Sequence, residues 1–157
     1  MFYQLSIRKG KDSDVHLAKF KRVNLNNEKI YPWFNKGYNS YRPDPLIIDS
    51  LMKIKQQIRI IVFGGSWCSD TKDLLPAFYK TAEGAGISAK SIRLIGVDRQ
   101  KDSHDAKSKR YHITNVPTFV FFYKGKEIGR IVESVNQSIE KDMMAIYRHQ
   151  YIINKKP

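Results

Sequence analysis

The run Ile58-Arg59-Ile60-Ile61-Val62-Phe63 is nearly continuous in apolar residues and stops at Gly64-Gly65. So short a run, bounded by glycines, has the length of a strand rather than a helix. A strand apolar on both faces must be covered on both, which puts it at the centre of a sheet with material packed above and below. The chain then reads Ser66-Trp67-Cys68-Ser69-Asp70-Thr71-Lys72, followed by Leu74, Leu75, Phe78, Tyr79 and Ala82 at helical spacing. A buried strand therefore turns directly into an amphipathic helix. The one cysteine of the chain, Cys68, stands at that turn.

The remaining pattern extends the same architecture. Asp44-Pro45 opens a helix, since proline is tolerated in the first turn, and Leu46, Ile47, Ser50, Leu51 and Ile54 keep one face of it. Gly84 and Gly86 close the helix that begins after Cys68. Residues 91–97 read as a strand, and residues 103–111 as a polar helix. Thr118 to Tyr123 is a second apolar strand, joined through Lys124-Gly125 to a strand over 127–133, so these two form a hairpin. Ser134 or Asn136 is expected to cap a last helix carrying Ile139, Met143, Ile146 and Tyr147 on one face. The order from residue 46 is α-β-α-β-α-β-β-α. Such alternation ending in a hairpin implies an α/β fold, a three-layer α/β/α sandwich with a mixed central sheet.

Residues 1–45 settle no element type. Val15, Leu17, Phe20, Val23 and Leu25 mark short apolar pieces, and Tyr31-Pro32-Trp33-Phe34, Tyr38 and Tyr41 form an aromatic stretch ending at Pro43 and Pro45. We expect an N-terminal extension, aromatic-rich and basic, that lays its rings on a domain spanning 46–157. A lid beside Cys68 or a partner surface is the other use of such a stretch.

A chain of 157 residues fits one domain with a core large enough to need no disulfide staples. A lone cysteine cannot form an intrachain disulfide, which fits a reducing compartment. The opening Met1-Phe2-Tyr3-Gln4-Leu5-Ser6-Ile7-Arg8-Lys9 has no leader-like apolar stretch, and no run approaches the ~20 apolar residues of a membrane span. A cytoplasmic location is the expectation. The formal charge is +13, yet the lysines and arginines are spread through patterned segments. Dispersed basic charge supplies only non-specific affinity for phosphates, so no specific nucleic-acid partner is expected from it.

Four pieces, in order and at matching spacing, make residues 46–150 resemble the thioredoxin-like family. Trp67-Cys68-x-x-Thr71 stands where that family has Trp-Cys-x-x-Cys. Pro76 falls where thioredoxins commonly have a helix-kinking proline. Tyr111-His112-Ile113-Thr114-Asn115-Val116-Pro117-Thr118-Phe119 is similar to the segment leading to the family's cis-proline, and Phe122-Tyr123-Lys124-Gly125-Lys126-Glu127 to its hairpin turn. The resemblance implies that Cys68 is the nucleophile and that the loop of Val116, Pro117 and Thr118 lies against it. It also implies that the Val116 backbone pairs with an extended substrate chain, as in strand addition. Two positions depart from the family. Thr71 replaces the second cysteine, and Val62 replaces the buried acid six residues before the first.

The residues around Cys68 bear on its chemistry directly. The thiolate is the attacking form of a cysteine. A helix N-terminus with unsatisfied N–H groups favours it, and Lys72 adds positive charge one turn away, whereas Asp70 opposes both. Thr71 offers a hydroxyl within reach of the sulfur, and Trp67 flanks it. With no second cysteine, an attack on a disulfide ends in a mixed disulfide that an external thiol must resolve. The partners expected are a protein disulfide or a low-molecular-weight thiol, with no cofactor and no metal. A redox-inactive binding module on the same fold is the alternative reading. His16, His104, His112 and His149 are scattered, and Asp102, His104 and Asp105 fit a polar helix start better than a metal site.

Overall fold

Strand β1 (Ile58–Gly64) is flanked on both sides, as its composition requires. The structure, a computed structural model, describes residues 17, 19–54 and 57–155. Its helices are α1 (Pro32–Ser40), α2 (Pro45–Ile54), α3 (Ser69–Gly84), α4 (Lys107–Arg110) and α5 (Ile139–Lys155). The other strands are β2 (Ile92–Gly96), β3 (Thr118–Tyr123) and β4 (Lys126–Val132). The sheet order is β2-β1-β3-β4. Strand β1 runs parallel to β2, with Ile61 opposite Arg93 and Phe63 opposite Ile95. It runs antiparallel to β3, with Arg59 opposite Phe122 and Ile61 opposite Val120, and β3 and β4 form the hairpin.

The period-two alternation of β1 divides the core. Ile58, Ile60 and Val62 join Phe119, Phe121 and Ile131 in the larger cluster, beneath Phe34 of α1, Leu51 of α2, Phe78 of α3 and Met143 of α5. Phe63 points the other way, into a smaller cluster with Ile95, Val97, Val116 and Val120. That second face is covered by Tyr111, Ile113 and the chain up to Pro117, led in by the single-turn α4. The two faces of the sheet are therefore unequally clothed.

Two element boundaries differ from the sequence pattern. The polar helix expected over 103–111 is reduced to Lys107–Arg110. Ser103 and Ser108 bond each other's backbone N–H through their hydroxyls at 2.9 and 3.0 Å, and Asp105 accepts the N–H of Lys107. Short polar side chains here take the donors that helix growth would use. His104 and Ala106 also adopt φ of 58° and 64°, outside the right-handed helix. The Lys107 ammonium and the Ser103 hydroxyl hold the Asp105 carboxyl down at about 2. The cap of α5 is Ser138, which accepts from Lys141 and Asp142, rather than Ser134 or Asn136. The Asn136 N–H goes instead to the Asp142 carboxylate at 2.7 Å.

Residues 20–41 pack into the larger cluster. Phe20, Leu25, Tyr31 and Phe34 are buried, so these rings form core rather than a free lid, while Val15 and His16 lie outside the described residues. Helix α1 rests on α3 where Gly37 meets Pro76: a Cβ on Gly37 would stand 2.9 Å from the proline ring carbons. Arg22 bonds Glu83 at 2.8 Å and lies over the rings of Phe34 and Tyr79. Tyr41 donates to the buried Glu140 at 2.5 Å, and Asp44 N–H donates to the same carboxylate at 3.1 Å. Burial alone would raise the Glu140 carboxyl, but these donors outweigh it and hold it below its ordinary value.

Tyr41→Phe should therefore cost about 1–2 kcal/mol at neutral pH, because it strips a donor from a buried carboxylate. Glu140 has a depressed folded value, so its contribution is present above about pH 4.5 and is lost as the pH falls through the folded value. Urea melts of both proteins across pH should show the gap closing in acid. Equal melts at neutral pH would refute the coupling.

Candidate functional site

Cys68 ends the Gly64–Trp67 turn and caps α3 in an extended conformation, φ −94° and ψ 127°. Its N–H donates to Gly65 O at 2.9 Å, and its carbonyl accepts from Lys72 N–H at 3.1 Å. The thiol is free and half-buried. Sγ donates to Val116 O at 3.3 Å, which brings together two segments 48 residues apart in sequence. The Val116–Pro117 peptide bond is cis.

The facing loop is tied on both sides. Thr118 Oγ1 donates to Asn115 O at 2.7 Å, and Pro117 O accepts the N–H of Glu133 at 2.7 Å. Asn115 Nδ2 also reaches Glu133 Oε2 at 2.9 Å. Val116 and Thr118 are buried. The residues that carry the Val116 carbonyl are therefore held while the carbonyl itself faces the sulfur.

Trp67 is fixed by three different contacts. Its indole Nε1 donates to Val97 O at 3.0 Å. Its ring lies across Gly65, where a Cβ would collide with the indole, so only glycine fits there. Arg99 and Lys101 approach the ring at 5.3 and 5.9 Å to its centroid, within cation–π range. The loop bearing these two cations is organised by Asp98, which accepts N–H bonds from Gln100 and Asp102, both at 2.9 Å, and lies 2.7 Å from His104 Nε2. Burial would raise the Asp98 carboxyl, but the His104 contact and the two N–H donors together hold it below its ordinary value.

Thr71 is fully buried, and its hydroxyl accepts Gly65 N–H at 3.3 Å. The turn imposes this, since Gly65 N–H is buried and has to find an acceptor. Asp70 and Lys72 sit on the first turn of α3, and among the described residues neither hydrogen-bonds the thiol. Val62 is fully buried within the larger apolar cluster. Sequence reasoning also passed over Gly65 and the Asp98 loop. The Gly64-Gly65 pair before Trp67 was the available signal for the first. Nothing local distinguished Asp98 from any acid at a strand end. Among the described residues, no group of three or more His, Cys, Asp or Glu side chains is placed to hold a metal ion.

A thiol at a helix start, set against the residue before a cis-proline on a mixed sheet, can be compared with known proteins directly. The thioredoxin family pattern matches residues 48–145, more than half of the chain. The chain belongs to the thioredoxin family. It is 26% identical over 140 residues to thioredoxin H9 of Arabidopsis thaliana, covering 88% of this chain and 86% of that protein. It is 28% identical over 90 residues to thioredoxin H2 of the same plant, where the match spans 57% of this chain and 63% of that one, under two thirds of its length. Against thioredoxin of Mycoplasma pneumoniae it is 37% identical over 73 residues, covering 46% and 66%. No helix among the described residues is long and apolar enough to cross a membrane.

Asp98 supplies a pH test of the Trp67 support. Its depressed carboxyl stabilises the fold above the ordinary value of 3.8, and that contribution is lost as the pH falls through the folded value. Asp98→Asn should flatten the acid limb of the stability profile and shift Trp67 emission toward that of a wetter indole. An unchanged acid limb would show that the loop does not depend on this charge.

Proposed function

We propose that this thioredoxin-family protein takes part in thiol–disulfide exchange through Cys68 as a monothiol, with an external thiol resolving the mixed disulfide. The observation that carries the reading is the half-buried Cys68 thiol at the start of α3, with Sγ 3.3 Å from Val116 O. The chain holds one cysteine, so no internal thiol can finish the cycle.

In the first step the Cys68 thiolate attacks one sulfur of a substrate disulfide. A bond forms between that sulfur and Sγ, the substrate S–S bond breaks, and the departing sulfur leaves as a thiolate that takes up a proton. In the second, an external thiolate attacks the substrate sulfur of the mixed disulfide and releases Cys68. Before the first step Sγ must give up its hydrogen bond to Val116 O. That carbonyl is then free to accept an N–H from an extended substrate backbone, so substrate docking and release of the sulfur are one exchange of donors. Val116, Pro117 and Thr118 are the substrate-binding segment in this reading, and Trp67 the flank. Asp70, Thr71 and Lys72 support it by position: Thr71 holds the turn through Gly65, and Asp70 and Lys72 set the charge beside the helix start. With Val62 in place of an acid, protons reach the sulfur from water or through Asp70. Residues 46–157 form the thioredoxin-like domain in this proposal, and residues 1–45 extend it. The protein works in a reducing, cytoplasmic setting, where external thiols are abundant.

A redox-inactive binding module is the rival, favoured by the burial of Val62 and Thr71 where the family's proton and thiol chemistry would sit. Alkylation separates the two. The Cys68 iodoacetamide rate should rise with pH along a single titration and exceed that of a free thiol, and Cys68→Ser should abolish it. Incubation with a small disulfide should give one mixed disulfide per chain, visible by mass and cleared by added glutathione. A thiol that neither alkylates nor forms the mixed disulfide would leave the binding module standing.

A further inference from the structure

The second face of the sheet is covered only over its upper half. Tyr111 and the chain to Pro117 cap Phe63, Ile95 and Val120. Below them, the register sets Arg59 opposite Phe122 and Arg93 opposite Ile61. These residues floor a concavity of about 300 Å³ at the end of β1 remote from Cys68, walled by Lys90, Arg110 and Tyr111. Its lining holds four cationic side chains and no carboxylate.

Those cations are unlike the others nearby. Arg130 on β4 donates twice to Glu127, at 2.6 and 2.8 Å, and once to Tyr111 O at 3.2 Å. Among the described residues, no carboxylate pairs with Arg59, Lys90, Arg93 or Arg110. Like charges gathered in one hollow repel each other, and a concave surface focuses their field. The arrangement therefore favours an anion in the folded state. Between the charges lie Ile61 and Phe122, half-buried, with the Tyr111 ring meeting Phe122 edge-on at 5.6 Å.

We propose that this concavity binds the phosphate and base of a nucleotide, either free or as one residue of a single-stranded nucleic acid. Guanidinium groups grip phosphate oxygens in pairs. The apolar floor of Ile61 and Phe122 accepts the flat face of a base. The volume is at the small end of ligand cavities, roughly 300–1,000 Å³, which suits one nucleotide. An acidic peptide fits less well. Ile61 and Phe122 belong to the inner strands β1 and β3, whose backbone groups are paired on both sides, so no strand can be added over the apolar floor. Net charge alone gives diffuse affinity, whereas this site concentrates four cations around an apolar bed.

Calorimetry with AMP and inorganic phosphate, and anisotropy with a short fluorescein-labelled oligoadenylate, test the site. AMP should bind about tenfold or more tightly than phosphate, since only AMP carries the base. Arg59→Glu with Arg93→Glu should weaken AMP and oligoadenylate by about tenfold or more. Arg110→Glu, off the sheet, gives the same reading if the double variant loses its circular dichroism. Lys141→Glu with Arg148→Glu, exposed on α5, should leave binding unchanged, and so should Cys68→Ser. Oligoadenylate binding above AMP identifies a strand as the source; equal binding identifies a free nucleotide. The proposal is overturned if neither binds, if phosphate matches AMP, if the α5 control loses as much, or if a polyglutamate peptide binds more tightly than AMP.

Discussion

Everything in this structure is referred to the packing of β1, which is buried along one face and over the C-terminal part of the other. Ile58, Ile60 and Val62 seat one face against four helices, and Phe63 seats the other against the chain approaching Pro117. A strand so gripped cannot slip by one residue without turning its whole apolar set over. Its end point is therefore fixed, and with it the turn that delivers Cys68. The same strand is paired to β3 in a register that brings Thr118 opposite Phe63. Val116 thus enters beside the turn from the neighbouring strand. The Sγ to Val116 O contact follows from two registers and from the bonds of Thr118 and Asn115 that tie the Val116 loop.

The parts legible in the sequence were those where burial repeats along the chain. The β1 run, the α3 face from Leu74 to Ala82 and the Thr118–Tyr123 strand all carry their own periodicity. What was not legible depends on competition for single hydrogen bonds. Ser103, Asp105 and Ser108 compete with helix formation over 103–106 and win locally, through side chains that could equally have capped a longer helix. Thr71 accepts the buried Gly65 N–H, a bond that exists only once the Gly64–Trp67 turn has formed. Trp67 revealed its position by adjacency to Cys68, but its hold on Gly65 and Val97 needs the folded turn. The unequal clothing of the sheet was hidden for another reason. Ile61 and Phe122 read as apolar whether they are covered by protein or left half-open.

The two ends of β1 differ in kind. At its C-terminal end the side chains packed on the second face are apolar and covered. At its N-terminal end Arg59 shares the surface with Arg93, and the cover stops short. A ligand at the second place would touch β1, β2 and β3, the strands that set the registers around Cys68. It would bind to the framework of the thiol site without approaching the sulfur.

Pro76 brings the N-terminal residues into the same account. It lies inside α3 and supplies no N–H, so Lys72 O loses its helical donor one turn beyond Cys68. A helix weakened there would let its first turn shift against the sheet, and the thiol would move with it. The side chain of Pro76 is instead clasped by Gly37 of α1. Further along α3, Glu83 takes Arg22 at 2.8 Å and Tyr38 at 2.5 Å. These contacts pin α3 at two places, one near the kink and one near its end. Residues 20–41 thereby supply, from outside the matched thioredoxin stretch, the rigidity that the proline removes from within it. The thiol's placement rests on packing that reaches back to Arg22 and Gly37, although the residues that surround the sulfur come from two short segments.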